Sequence, residues 1–390
     1  MHNKFRKNIF LVGLASFFGG VSQDMFVPLL PIFLSSVLQF SKSAIGISEG
    51  LVTASSSIFK LLSGVLADKW HTQKPLILFG YSLSMIARPL LAVFSATPLV
   101  FFLRFLDGAG KGAKDSPKSA LLANSTDAAT RGKSFGVTRA LDTLGSVAGP
   151  LVLYGLLTLL ANSPRKYELI FLLCALPLIA TLFIFGVFVK EPPIKPEPKI
   201  NFDDKKLPQQ FYLFLGVMAL FTLGNSSDIF LLLRAQSLGV SIFAIPLVYA
   251  LFNFVYAATS VPLGSLSDRL GRERVIILGL LAYALAYIGF ARASLAWHAW
   301  VLFAFYGLYY ATTQGVGNAL IADIVAPAHR GTAYGIYNTV VGLLSLPASF
   351  IAGIAWDRIG AAAPFYIGAV CAALAGALLF FIRPSRVAKF

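Results

Sequence analysis

The sequence predicts an all-α membrane protein of twelve transmembrane helices, arranged as two pseudo-symmetric six-helix bundles. Three observations predict it. Hydrophobic residues make up 57% of the 390 and charged residues only 13%, with 34 phenylalanines, a balance foreign to water-soluble globular chains. The apolar runs are about 20 residues or longer, as helical spans require, whereas barrel strands would alternate over segments of roughly 10. The chain also repeats itself. Gly64-Val65-Leu66-Ala67-Asp68-Lys69 returns as Gly264-Ser265-Leu266-Ser267-Asp268-Arg269. Ala120-Leu121-Leu122-Ala123-Asn124, followed after six residues by Arg131-Gly132-Lys133-Ser134-Phe135-Gly136, returns as Ala319-Leu320-Ile321-Ala322-Asp323 and Arg330-Gly331-Thr332-Ala333-Tyr334-Gly335. Two echoes at nearly one offset indicate duplication, and a duplicated membrane bundle typically holds a binding site between halves that open alternately to either side.

Apolar runs bounded by charge, Pro or Gly place the spans near residues 8–38, 44–67, 75–95, 97–123, 133–161, 168–190, 209–236, 240–267, 275–292, 296–325, 332–356 and 362–382. The start, Met1 to Lys7, has the basic end of a signal peptide, but the apolar run to Leu38 is too long and lacks a small-residue cleavage pattern. It reads as the first span. Between the sixth and seventh spans, Glu191-Pro192-Pro193 through Lys205-Lys206-Leu207-Pro208 is rich in Pro and mixed charge and reads as a flexible linker. The expected organisation is therefore a first bundle at 1–190, a cytoplasmic linker at 191–208 and a second bundle at 209–390. Cys174 and Cys371 both fall inside apolar runs and suggest neither a disulfide framework nor a metal cluster.

Basic residues set the orientation. Lys4, Arg6, Lys7, Lys69, Lys74, Arg131, Lys133, Lys190, the linker residues Lys195, Lys199, Lys205 and Lys206, and Arg269, Arg272, Arg274, Arg330, Arg383, Arg386 and Lys389 fall on the side of the N-terminus. The opposite loops hold only Lys42, Arg165, Lys166, Arg234, Arg292 and Arg358. The positive-inside rule then puts both termini and the linker in the cytoplasm, and the formal charge of +15 is largely a topology signal. Nucleic-acid binding would need a soluble basic surface with aromatic or helical readers, and the sequence offers none.

Seven basic residues remain inside spans: Lys60, Arg88, Arg104, Lys111, Lys114, Lys118 and Arg139. A charge at the bilayer centre costs roughly 2.5–3.5 kcal/mol on insertion scales, so each needs a partner or a wet cavity. Asp24, Glu49, Asp107, Asp115 and Asp142 are the available acids of the first half, against Asp228 and the span-end Asp323 in the second. In the fourth span Arg104, Asp107, Lys111, Lys114 and Lys118 step by three and four residues and so form one helical stripe, with Asp115 beside it. One reading makes that face wet; the other makes Arg104 with Asp107 and Lys111 with Asp115 internal ion pairs. Gly108, Gly110 and Gly112 permit close helix approach or local unwinding, and Pro117 removes a backbone hydrogen bond nearby.

In the fifth span, Arg139 and Asp142 share a face and precede Gly145-Ser146-Val147-Ala148-Gly149-Pro150, whose glycines allow tight packing. Arg139 and Asp142 suit either mutual pairing or ligand binding. Ser22-Gln23-Asp24-Met25-Phe26 in the first span resembles Asn225-Ser226-Ser227-Asp228-Ile229-Phe230 in the seventh. A carboxyl withdrawn from water holds its proton nearer the working pH, so Asp24 and Asp228 suit a proton or cation coupling site; the alternative is charge compensation of the basic cluster.

These motifs resemble the major facilitator superfamily over the whole length of the chain. Gly64 to Lys69 and Gly264 to Arg269, continued by Leu270-Gly271-Arg272, match its loop motif after the second span and the repeat after the eighth. The first copy departs from it, with Trp70-His71-Thr72 where a glycine and basic residues are usual. Arg104 with Gly108 and Gly112 is similar to the fourth-span motif, whose arginine is implicated in proton coupling. Gly145 through Pro150 resembles the antiporter motif, with Leu153-Tyr154 in place of its trailing paired glycines. Asp107 to Pro117 with Arg131 to Gly136 looks like a bacterial branch of presumed exporters, whose substrates include metal or metal-chelate candidates. The resemblance implies twelve helices in the bacterial inner membrane and no cofactor.

The loop motif also has a mechanical reading. Gly64 and Gly264 would let helices approach, while Asp68 and Asp268 would accept from helix amides or from arginines such as Arg269 and Arg272, latching the halves on the cytoplasmic side. No nucleotide-binding loop is present, so energy should come from an ion gradient. His2, His71, His298 and His329 are terminal or in loops, and no intramembrane Ser/His/Asp set appears, which argues against an enzyme. The expectation is a monomeric, proton-coupled secondary transporter that exports a small anionic or chelated solute, with lipophilic-drug efflux as the competitor and a transport-inactive receptor or scaffold as the alternative class. Arg104, Asp107, Lys111, Arg139, Asp142, Asp24 and Asp228 are its candidate substrate and coupling residues. Excess buried positive charge favours an anion, and the shortage of buried His and Cys argues against naked soft metals.

Overall fold

The computed structural model describes residues 2–94, 96–126, 131–191, 207–326 and 329–382. Of the expected linker, 192–206 lies outside the described residues, as do the C-terminal bases Arg383, Arg386 and Lys389. The described chain is helical: α1 (His2–Ile32), α2 (Lys42–Trp70), α3 (Lys74–Val93), α4 (Thr97–Asn124), α5 (Arg131–Leu159), α6 (Lys166–Leu173), α7 (Ala175–Phe183), α8 (Gln209–Gly224), α9 (Ile229–Ser237), α10 (Ile245–Leu270), α11 (Arg272–Arg292), α12 (Ala296–Ile324), α13 (Arg330–Arg358) and α14 (Ala363–Ile382). Among the described residues, ten stretches are long and apolar enough to cross a bilayer; α6 with α7 and α8 with α9 each count as one stretch. The other two long helices, α4 and α12, run to 28 and 29 residues but dilute their apolar content, α4 with its charges and α12 with Tyr, Trp, His and Asn.

Three expected spans are not uniform helices, the sixth (168–190) being divided at Cys174 between α6 and α7 and closing in a π turn at Ile184–Phe188. Pro28 and Pro31 remove amide donors from the end of α1, which closes in a wide π turn at Phe33–Val37 with the Leu38 amide donating to the Phe33 carbonyl at 3.0 Å. The seventh span, expected to be continuous over 209–236, is broken: Asn225, Ser226 and Ser227 are non-helical between α8 and α9. Three successive small polar residues offer the backbone alternatives to the helical ladder.

The chain forms two compact units, the first comprising Met1–Phe40, Leu51–Pro196 and Ile242–Ala250, the second Ser41–Gly50, Glu197–Ser241 and Leu251–Phe390. In the first unit, α5 lies along α1 at backbone distance. A Cβ on Gly145 would strike the Phe17 carbonyl, and one on Gly149 would meet Val21 O at 2.6 Å and Met25 N at 2.9 Å. Lipid tails are as apolar as the side chains, so such close packing, not the hydrophobic effect, holds membrane helices together. The fourth-span glycines work the same way and leave α4 unbroken. Gly108 and Gly112 press on the α2 backbone at Val52 and Ser56, and Gly110 faces Gly80 of α3. The end of this unit is stapled where Glu191 accepts from the Thr72 hydroxyl and from the Gln73 and Lys74 amides that open α3, while Lys74 Nζ donates back to Gly186 O and Val189 O at 2.8 and 2.9 Å. A carboxylate on a helix N-terminus is favoured by the dipole and satisfies its orphan amides.

In the second unit α11 packs against both α12 and α14. Its core is aromatic: the Tyr283 and Tyr287 rings stack at 3.9 Å, with Tyr306, Tyr309, Phe221, Phe290 and Phe365 around them. Asp357, near the end of α13, takes the first two amides of α2, from Lys42 and Ser43, at 3.0 and 2.8 Å.

Candidate functional site

The stripe on α4 divides into two sites, both within the first unit. At its N-terminal end Asp107 is 0% exposed and collects three cations. Arg88 Nε of α3 lies 3.0 Å from Oδ1, while Arg104 Nη1 and Lys111 Nζ each lie 3.4 Å from Oδ2. The two arginines are 2% exposed and both guanidinium groups stand 5.3 Å from the centroid of Phe26. Arg88 completes its set on α1, donating to Ser22 Oγ at 2.7 Å and to Gln23 Oε1 at 2.6 Å; Ser22 in turn donates to the Cys174 carbonyl. Every donor of so deeply buried a charge needs such a partner. Lys111 therefore pairs with Asp107, not with Asp115 as the spacing also allowed. Helical side chains lean toward the N-terminus, so Lys111 reaches back one turn.

The C-terminal end of the stripe opens into a cavity of about 360 Å³ lined by Ser16 of α1, Lys60 of α2, Lys114, Asp115, Lys118, Ser119 and Leu122 of α4, and Phe135, Thr138, Arg139 and Asp142 of α5. Four cationic side chains meet two carboxylates there. Lys114 Nζ lies 3.4 Å from Asp115 Oδ1, Arg139 Nη1 3.3 Å from Asp142 Oδ2, and Lys118 Nζ donates to Ser16 Oγ at 3.3 Å. Arg139 is 64% exposed, so its guanidinium reaches the open volume. Thr138 Oγ1 is buried without a hydrogen-bond partner among the described residues, an unused polar group on the cavity wall. Size and lining suit a small polar ligand with negative charge.

The two candidate coupling acids lie in different units. Asp24 is buried on α1, with the Ser146 hydroxyl beside it and Tyr249 Oη donating at 3.4 Å. Asp228, at the start of α9, accepts from Tyr306 Oη at 2.8 Å and from Tyr310 Oη at 3.0 Å, and no basic side chain among the described residues pairs with it.

The loop-motif residues also fall into place. Gly64 sits against Ser116 of α4, whereas no described atom lies within 4 Å of a Cβ built on Gly264. Asp68 lies near the end of α2. Asp268 and Arg269 close α10, and Arg272 opens α11. Arg272 bridges Asp268 at 2.9 Å and Asp323 of α12 at 2.7 Å, with Ser267 Oγ at 3.1 Å. Arginine, not a helix amide, is Asp268's partner, and this tie joins three helices of one unit. Sequence reasoning counted Arg88 and Lys60 among the intramembrane bases but not in the site, and it quoted Ser22, Gln23 and Phe26 only as the surroundings of Asp24. Their signal was the Ser22-Gln23-Asp24 segment, read for its acid alone.

The family profile described as Major Facilitator Superfamily matches residues 12–233 and 212–390. An uncharacterized MFS-type transporter of Methanocaldococcus jannaschii is 35% identical over 384 residues, covering 96% of this chain and 95% of that one. The multi-drug resistance efflux pump PmrA of Streptococcus pneumoniae is 24% identical over 308 residues, 74% of each chain. Among solved structures, that of a POT family transporter in complex with a thioalcohol conjugated peptide superposes with a TM-score of 0.81 at 12% identity, covering 97% of this chain and 96% of that one, a likeness of fold.

Proposed function

Because the chain belongs to the major facilitator superfamily, we propose that it is a twelve-helix secondary active transporter of the bacterial inner membrane, exporting a small anionic or metal-chelated solute in exchange for protons. One observation carries the substrate reading: the cavity places Lys60, Lys114, Lys118 and Arg139 against only Asp115 and Asp142. The excess of two positive charges in a low-dielectric wall attracts anions and repels lipophilic cations. A carboxylate or phosphate would bind Arg139 as a fork and the lysines as point charges, and its remaining oxygens would reach the Thr138 hydroxyl.

The Asp107 cluster is the fixed part of this machine. Asp107 holds Arg88, Arg104 and Lys111 in place, and the bonds from Arg88 to Ser22 and Gln23 tie α1, α3 and α4 together, leaving the cavity end of α4 to meet solute. Asp24 supports the proton reading: buried with hydroxyl partners and in no ion pair among the described residues, it can lose and regain a proton without breaking a salt bridge. Export rests on the Gly145 to Pro150 motif and on the efflux relative. That same relative favours a second reading, efflux of multiple lipophilic compounds.

Flux into and out of proteoliposomes, measured with a panel of carboxylates, phosphates, metal chelates and quaternary ammonium compounds, separates the two. Movement of an anion or chelate supports the first. Robust quaternary ammonium export with no anion response supports the second, and no flux of any solute leaves a receptor or scaffold.

A further inference from the structure

The break between α8 and α9 has no part in the anion cavity, and it is built of oxygen. Asn225, Ser226 and Ser227 leave the helical ladder inside a 29-residue apolar stretch, Gln209–Ser237. Among the described residues Asn225 Oδ1 is buried there with no hydrogen-bond partner, and the Ser226 and Tyr287 hydroxyls turn to each other beside it. Ser226 is 4% exposed and Tyr287 0%, and Tyr287 stands beside Ser226, Tyr283 and Tyr306. A buried polar atom left unpaired is costly, so the bare Asn225 oxygen at a helix break rich in hydroxyls points to a missing ligand.

The charges name its sign. The Asp228 carboxylate closes the break and is held from outside by the Tyr306 and Tyr310 hydroxyls, which use two of its roughly four acceptor positions. Glu49 accepts from Ser227 Oγ at 3.2 Å on the other side of the break. Gly224 ends α8 here, and the C-terminal end of a helix is its negative pole. Unwound backbone and half-helix C-termini are where transporter helices coordinate small cations.

We propose that the α8–α9 break is a binding site for an alkali-metal cation of sodium's size, ligated by Asn225 Oδ1, Ser226 Oγ and the Asp228 carboxylate. The ligating set holds one carboxylate and neutral oxygens, which match a single positive charge, while the second carboxylate, Glu49, is engaged by Ser227 Oγ. The oxygens are hard, which excludes soft metals. The site goes beyond the solute reading by choosing, for Asp228, the metal cation between the proton and the cation that the sequence left open.

The test needs no solute, so it stands apart from the transport reading. The full chain, purified in detergent in N-methylglucamine chloride, is titrated with NaCl while thermal stability and ²²Na⁺ binding are followed. Sodium should raise the melting temperature saturably, as any ligand of the native state does. Ser226→Ala and Asp228→Asn should each weaken sodium about 10-fold or more. Arg139→Gln should leave sodium binding unchanged. No saturable sodium effect, a sodium response unchanged in both site variants, or stronger stabilisation by MgCl₂ or choline chloride than by NaCl would overturn the assignment.

Discussion

Arg88 Nε lies 3.0 Å from Asp107 Oδ1, a salt bridge between α3 and α4 with both side chains withdrawn from solvent. Asp107 is the sole carboxylate in ion-pair contact with Arg88 among the described residues, and Arg104 and Lys111 share it. Asp107→Asn should therefore destabilise the protein by about 3–5 kcal/mol, the cost of leaving buried cations uncompensated. Thermal unfolding in detergent reads this directly. An unchanged melting temperature would remove the cluster from the stability of the first unit.

The cavity cations predict the opposite pattern. Arg139→Gln and Lys118→Gln remove charge from a wall open to solution, so the fold should persist while affinity for an anionic solute falls by about 10-fold. Because the attraction is electrostatic and partly solvent-exposed, wild-type binding should also weaken as ionic strength rises. Titration of a bound anion in low and high salt, alongside melting temperature, checks both. A parallel fall in stability would instead make these residues structural.

Glycine substitutions on α5 should sort by what a Cβ would meet. Gly145→Val drives a side chain into the Phe17 carbonyl of α1 and should cost about 1–3 kcal/mol or more. Gly136→Ala and Gly155→Ala meet nothing within 4 Å and should be neutral or gain about 0.5–1 kcal/mol. Equal melting temperatures across the three would contradict the α1–α5 contact.

Much of this was legible in the chain itself. The 3 and 4 spacing of Arg104 to Lys118 put one charged stripe on α4, and Gly145 with Gly149 marked the tight face of α5, because both depend on periodicity within a single helix. What the stripe paired with was not legible. Arg88 reaches Asp107 from a different helix, and no pattern in its own span announces that contact. Lys111 had acids four residues to either side, and only the backward lean of helical side chains chose Asp107. The break in the seventh span was written as Asn225-Ser226-Ser227, but three polar residues inside an apolar run are too few to overrule its length. Linking Arg272 to Asp323 needed the folded return of α12, some fifty residues on.

Asp24 separates a proton carrier from a charge partner. Asp24→Asn should leave the melting temperature close to wild type, since its contacts are hydroxyls that an amide can also meet. It should abolish gradient-driven flux while solute exchange survives, because a permanently neutral group cannot release a proton. Normal gradient-driven flux in this variant would take Asp24 out of the mechanism.

The most direct measurement is solute flux in proteoliposomes under an imposed proton gradient, with sodium equal on both sides and the Arg139→Gln protein as the comparison. The predicted result is transport of an anion or metal chelate that collapses with a protonophore and is lost in Arg139→Gln. Flux that ignores the protonophore, or that is confined to quaternary ammonium compounds and unaffected by Arg139→Gln, would contradict a proton-driven anion exporter.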